Sequence, residues 1–301
     1  MELKFDNEKL TFIIDTIHSI GFETKGASIA CHKLAYELAT LGNYVYIFNE
    51  PIYPHPNINV IPTHKHNEDD GWWCKFYWEP FQFNIYRTIS IYTQITWGNP
   101  MNTIHNVRWV LHDYDETVWE TIDANDIICN FGTFKTPNET EQLELTIFDY
   151  QLDKFKNLNN PNRKGFAHLI HKNTPDWGWE FVEQFGSTEI PHYNGKKSLD
   201  YLIDEFNKYE YLLTFDDKSY YTTMAGLCGT KSIILNPDKS ITPTEYRQKN
   251  PIQMCGVAYG FDDIKWANNT IELVREHLLD LEKKNKETIY NFVEFWKNKL
   301  G

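Results

Sequence analysis

Short apolar runs alternate along the chain with longer segments whose apolar residues return every three or four positions, the pattern of strands alternating with helices. Residues 10–16 (LTFIIDT) predict a buried first strand. A loop with two glycines follows, from His18 to Gly26, and residues 27–41 carry helical spacing in Ile29, Leu34, Leu38 and Leu41. Gly42 stops that helix, and residues 44–48 (YVYIF) supply the next strand. This is the opening βαβ unit of a doubly wound domain. Its loop lacks the GxGxxG fingerprint, so no dinucleotide is inferred. Further strands are predicted at 59–61, 88–96, 126–131 and 143–148, and a helix at 105–111.

Residues 153–164 (DKFKNLNNPNRK) contain little that could be buried and predict a linker. The expected domains are therefore 1–157 and 158–301. After the linker, residues 165–170 predict a strand and residues 177–185 and 198–209 predict helices. The stretch 210–236 has the clearest pattern in the second half. Residues 211–215 form an apolar run ending in Asp216 and Asp217, Ser219 opens a helix, Gly229 closes it, and residues 232–235 form another strand. Ser219 has the chemistry of an N-cap and Gly229 that of a C′ residue. A helix N-terminus presents unpaired N–H groups, and Asp216, Ser219, Tyr220, Tyr221, Thr222 and Thr223 lie at or beside this one. Residues 241–259 read as an irregular, proline-containing passage, and Asp262-Asp263 begins a helical tail with Ile271, Val274, Leu278 and Leu281 on one face. The expected fold is α/β, with two Rossmann-like domains facing across a cleft and a C-terminal helical tail.

Composition narrows the function. The net charge of −13, without a Lys/Arg cluster beyond short pairs, argues against nucleic acid and anionic membranes as partners. No run reaches the ~18 apolar residues of a membrane span, and the charged start MELKFDNEKL lacks the apolar core of a signal peptide; a cytoplasmic protein is expected. Five scattered cysteines (Cys31, Cys74, Cys129, Cys228, Cys255) form no CxxC pair, which fits a reducing compartment. Aromatic residues crowd between Trp72 and Phe83, and such rings stack on sugar faces or fill cores. His55, His64 and His66 beside Glu68, Asp69 and Asp70 lack ligand spacing and read as a solvated polar loop.

With two βαβ halves, a linker and a helical tail, the arrangement resembles a glycosyltransferase of the GT-B architecture. Many retaining GT-B enzymes carry Glu-x7-Glu followed by a small-Cys-Gly-Thr turn and a strand. Here the turn is Leu227-Cys228-Gly229-Thr230, Asp216 stands where the first Glu would, and Met224 replaces the second, which in the family contacts the donor ribose. The block from Gly256 to Asp263, with Ala267 and Thr270, resembles an ending found in bacterial and viral glycosyltransferase-like proteins.

The resemblance implies transfer of a sugar from a nucleotide-diphosphate sugar to a carbohydrate or other hydroxyl acceptor, with the donor on the C-terminal domain and no metal or other cofactor. It brings His171 and Lys172, at the end of the first strand of that domain, toward the donor diphosphate, where positive charge stabilises the leaving group. The acceptor requires a base, and His18, Glu23, Asp15 and Asp113 are the candidates. Two alternatives remain. Asp113-Tyr114-Asp115 is a DxD sequence of the kind that binds Mg²⁺ or Mn²⁺ in GT-A transferases. The missing second acid also allows a non-catalytic GT-B-like protein that binds a sugar or nucleotide. A Ser/His/Asp hydrolase is disfavoured by the absence of a GxSxG elbow.

Overall fold

The computed structural model describes residues 9–16, 26–61, 63–64, 77–78, 84–112, 116–132, 142–170, 174–191 and 199–301. Its elements in chain order are β1 (Thr11–Ile14), α1 (Gly26–Thr40), β2 (Tyr44–Ile47), β3 (Ile58–Val60), β4 (Thr63–His64), β5 (Tyr77–Trp78), β6 (Thr88–Thr93), β7 (His105–Val110), α2 (Glu116–Trp119), β8 (Ile127–Asn130) and β9 (Leu143–Glu144). They continue with β10 (Phe166–His168), α3 (Gly178–Glu183), β11 (Thr188–Glu189), α4 (Leu199–Phe206), β12 (Tyr211–Thr214), α5 (Tyr220–Leu227), β13 (Lys231–Ile234), α6 (Pro243–Lys249), β14 (Val257–Tyr259), α7 (Ile264–Thr270) and α8 (Val274–Leu300).

The chain packs as two units, Met1–Phe148 with Lys284–Gly301, and Asp149–Lys283. Among the described residues, the first unit holds a parallel sheet in the order β3-β2-β1-β6-β7-β8-β9. The order reverses between β1 and β6, as in a doubly wound fold. Strands covered on both faces need apolar or hydrogen-bonded side chains throughout, and every residue of β1 (TFII) and β6 (TISIYT) is buried. The second unit holds a parallel sheet in the order β11-β10-β12-β13-β14, reversing between β10 and β12. Two parallel α/β sheets and a long C-terminal helix are therefore present.

Four sequence expectations differ from the structure. Residues 105–111 were expected to be helical, yet His105–Val110 is strand β7, between β6 and β8. Polar residues interrupt its apolar ones, but Arg108 is neutralised inside the unit: its Nε donates to Asp126 Oδ2 at 2.7 Å, with both side chains almost fully buried. Residues 153–164 are mostly exposed with Phe155 buried, and the second unit begins at Asp149, before the expected boundary at 157/158. The end of the tail belongs to the first unit, where Phe292, Val293 and Trp296 are buried and Phe292 lies 5.9 Å from Phe12, ring to ring. Finally, the passage 241–259 contains α6 and β14.

The helix expected between Ser219 and Gly229 is α5. At its end the Thr230 N–H donates to Ala225 O and the Gly229 N–H to Gly226 O, each at 2.9 Å, which closes the last turn as a Schellman motif with Gly229 at φ +84°. A Cβ on Gly229 would lie 2.7 Å from Asn157 Nδ2. Gly229→Ala should therefore cost about 2 kcal/mol in urea unfolding, whereas Gly186→Ala, at φ +59° with open space around it, should cost about 1 kcal/mol. Equal losses would contradict the packing part of this account.

Candidate functional site

The second unit turns its candidate site around the end of β12. The Asp216 N–H donates to Thr214 Oγ1 at 3.1 Å, and Asp216 Oδ1 in turn accepts the Lys218 N–H at 3.1 Å. These two bonds set the bend that delivers the chain to Ser219. There the backbone is extended (φ −68°, ψ 131°) and the side chain accepts the Tyr221 N–H at 3.3 Å, the N-cap geometry its position predicts. Thr222 Oγ1 donates to Ser219 O at 2.7 Å, and the Tyr220 hydroxyl donates to Asp149 O at 3.3 Å. Ser219, Tyr221, Thr222 and Thr223 are buried, so within this set only Asp216 and Tyr220 keep partly exposed side chains. Met224 is fully buried.

Beside this bend lies a pocket of about 300 Å³ at the carboxyl ends of three strands. Phe215 and Asp217 follow β12, Ile234 to Asp238 run through the end of β13, and Tyr259 closes β14. In open α/β sheets this edge is where ligands bind. The walls are braced from behind. Tyr246 stacks on Tyr259 at 4.2 Å between centroids, and its hydroxyl donates to Asp217 O at 2.6 Å. Tyr259 Oη accepts the Asp238 N–H at 2.9 Å, while the Tyr259 N–H donates to Asp263 Oδ2 at 2.9 Å. Asp263 also receives both terminal nitrogens of Arg247 at 2.9 Å, and Trp266 lies under that guanidinium at 4.2 Å.

The pocket is acidic. Burial raises the Tyr259 phenol above its usual range, and the charges of Asp238 and Asp217 add to that rise. Burial also holds the Tyr246 phenol well above its usual value, with Asp217 and Asp216 contributing. Two carboxylates on one small pocket accept hydrogen bonds from hydroxyl groups and repel phosphate.

In the first unit, Asp15 sits immediately past β1, where the strand order reverses. Its N–H donates to Ile91 O at 2.9 Å, and its buried carboxylate accepts from Thr96 Oγ1 at 2.6 Å. Thr96 is held by Arg108, whose Nη1 donates to Thr96 O at 3.0 Å. On α1 the Cys31 thiol is pushed far up, by burial first and by the Asp15 charge second, so it is a packing group. Five of the named candidates for the base and diphosphate are not reached: His18, Glu23, Asp113, His171 and Lys172 lie outside the described residues, as does the rest of the sequence Asp113-Tyr114-Asp115. The same holds for His66, Glu68, Asp69 and Asp70 and for most of the aromatic stretch between Trp72 and Phe83. Among the described residues no three His, Cys, Asp or Glu side chains come together as a metal site. No described helix is long and apolar enough to cross a membrane.

Two doubly wound parallel sheets and a long C-terminal helix are the α/β elements expected, and the chain folds as two such units. No protein-family model matches it, and no curated protein matches it in sequence. Similar solved structures include sucrose-phosphate synthase from Thermosynechococcus elongatus, at TM-score 0.46 and 11% identity over 94% of each chain. The calicheamicin glycosyltransferase CalG4 aligns at TM-score 0.39 and 7% identity, over 96% of this chain and 98% of the other. The glycosyltransferase SnogD from Streptomyces nogalater aligns at 0.38 and 9%, over 96% of this chain and 100% of the other. At such scores a superposition decides nothing about activity.

The GT-B-like reading had not included Tyr246, Arg247 or Asp238, and it held Tyr259 only within the block from Gly256 to Asp263. For α6 a local signal existed. Thr242-Pro243-Thr244-Glu245 is a capping box with proline at the first helical position: the Thr242 hydroxyl accepts the Glu245 N–H at 3.2 Å and Glu245 accepts the Thr242 N–H at 2.7 Å. Asp238 and Tyr259 carry no comparable local signal, since strand pairing alone brings them to one pocket.

One titration follows from the first unit. His32 on α1 is buried with its Nδ1 accepting the Ile52 N–H at 3.3 Å, and burial lowers its pKa to about 4. A folded-state value below the unfolded one favours the neutral ring, so its contribution is present above pH ~6.5 and is lost as the pH falls toward 4. Wild-type stability should drop across that window by about 3 kcal/mol more than that of His32→Gln, measured by urea unfolding at a series of pH values. Parallel pH profiles would remove this assignment.

Proposed function

We propose that this protein transfers a sugar from a nucleotide-diphosphate sugar to an acceptor hydroxyl, without a metal. The observation that carries the reading is the pocket at the carboxyl edge of the second doubly wound sheet, bounded by the same bend, Phe215 to Ser219, that carries the glycosyltransferase resemblance. Lys172 and the start of α5 supply the charge that a departing diphosphate requires, and His171 adds a hydrogen-bond donor. Asp15 is the best supported of the four candidate bases, because a buried carboxylate held by Thr96 keeps a fixed orientation; His18, Glu23 and Asp113 remain alternatives. A carbohydrate or other hydroxyl compound completes the reaction as acceptor.

One observation favours a second reading, a GT-B-like protein that binds a nucleotide or sugar without transfer. Met224, in the place of the family's second acid, is fully buried, so this position of α5 offers no ribose contact.

Thermal-shift measurements with UDP, GDP, ADP and TDP, free and as sugar conjugates, separate these readings. The transfer reading expects a rise in melting temperature with at least one conjugate, and slow hydrolysis or transfer of it that survives EDTA. Asp216→Ala and Lys172→Ala should each weaken that binding about tenfold, or about 1.4 kcal/mol, with the fold retained. Stabilisation without turnover moves the protein to the binding reading. Unchanged affinity in both variants removes this donor site, and activity restored only by Mn²⁺ favours the DxD alternative.

A further inference from the structure

Trp177 stands just before α3, and its side chain is 47% exposed. The indole is nevertheless fixed in place. It meets Phe181 edge to face at 5.5 Å and 79°, and Phe215 at 5.5 Å and 78°. Gly178 explains the close approach: a Cβ there would lie 2.7 Å from Thr174 Cγ2 and 2.9 Å from the Phe215 ring, so the first turn of α3 lies directly against Phe215. Phe215, in turn, is a wall of the acidic pocket. Around one buried phenylalanine the fold thus gathers a rigid, half-open indole and a cavity carrying Asp217 and Asp238.

We propose that Trp177 is the stacking platform of a carbohydrate-ring site, with the apolar C–H face of the ring on the indole and its hydroxyls donating to Asp217 and Asp238. The pairing follows from the ligand's own chemistry. A pyranose or furanose has a face of C–H groups, which the electron-rich face of an indole attracts, and an edge of O–H donors, which ionised carboxylates accept. Asp238 Oδ1 already accepts the Ser240 N–H at 2.8 Å, and a carboxylate has acceptor positions beyond one such bond. The same two charges disfavour phosphate, so the ring of a ligand and not its phosphate enters this pocket. Trp179 is exposed to a similar degree, but its ring meets His168 at 6.0 Å, which makes it the natural control.

The inference deepens the sugar-transfer reading and rests on it only for the source of the sugar. The test uses the full chain with free glucose, galactose, mannose, N-acetylglucosamine, rhamnose and ribose, the same sugars as nucleoside diphosphate conjugates where these exist, and UDP and GDP alone. Saturation-transfer NMR should show at least one saccharide contacted on the C–H protons of one ring face. Titration calorimetry should show that affinity about tenfold lower in Trp177→Ala, largely kept in Trp177→Phe, several-fold lower in Asp217→Asn and Asp238→Asn, and unchanged in Trp179→Ala. No saccharide binding across the panel, or binding that Trp177→Ala leaves intact, overturns the platform. The two ideas fail separately. A free sugar bound through Trp177 with no response to any nucleotide keeps the platform and ends the transfer reading. Turnover of a nucleotide sugar that is indifferent to Trp177→Ala and Asp217→Asn does the reverse.

Discussion

Arg163 places its guanidinium among carbonyl groups that two helices leave unpaired at their carboxyl ends. Nη1 donates to Phe206 O at 2.8 Å and Tyr209 O at 2.9 Å beyond α4, and Nη2 donates to Cys228 O at 2.6 Å at the end of α5. Thr230 Oγ1 accepts from the same Nη1 at 2.5 Å. A helix carboxyl end carries partial negative charge and orphan acceptors, and one planar cation with five donors answers both needs for two helices together. Asn207 extends the lock, accepting the Leu158 N–H at 2.8 Å and donating to Lys156 O at 3.0 Å. Because α5 is only about 12 Å long, holding its carboxyl end also fixes its start, where the bend at Asp216 meets the pocket.

That lock accounts for what could and could not be read from the chain. The helix between Ser219 and Gly229 was legible because each boundary is decided by its own residue, a hydroxyl that accepts an N–H and a glycine that adopts positive φ. What the segment 153–164 did not reveal is its anchoring: Asn160 and Arg163 ordinarily signal solvent, and these partners lie more than forty residues ahead. β7 has the same kind of distant support: the countercharge that lets Arg108 sit in a buried strand is Asp126, eighteen residues on. Local chemistry was visible and distant compensation was not. The pocket belongs to the second kind, since its walls come from three strand ends and meet only when β12, β13 and β14 pair.

The electrostatics of the second unit divide the work expected of a ligand site. Asp217 and Asp238 suit neutral, hydroxylated groups, and the bracing of Tyr246, Tyr259, Arg247 and Asp263 holds the backbone of both residues in place without drawing a cation into the pocket. Arg247 is occupied by Asp263 on one side and by Trp266 beneath it. Phosphate recognition therefore falls to groups other than these two carboxylates, and the proposed function assigns it to His171 and Lys172.

The first unit is built from two separated pieces of chain. Ile289, Phe292, Val293 and Trp296 belong to its core, and the Thr146 N–H donates to Thr288 Oγ1 at 3.1 Å. During synthesis the second unit, a continuous segment, has all its parts as soon as residue 283 has emerged. The first must hold β1 and its neighbours with part of their apolar surface uncovered until residues 284–301 follow. A nascent chain halted between those points carries one finished unit and one open core, and the open core is where chaperone binding or aggregation would begin.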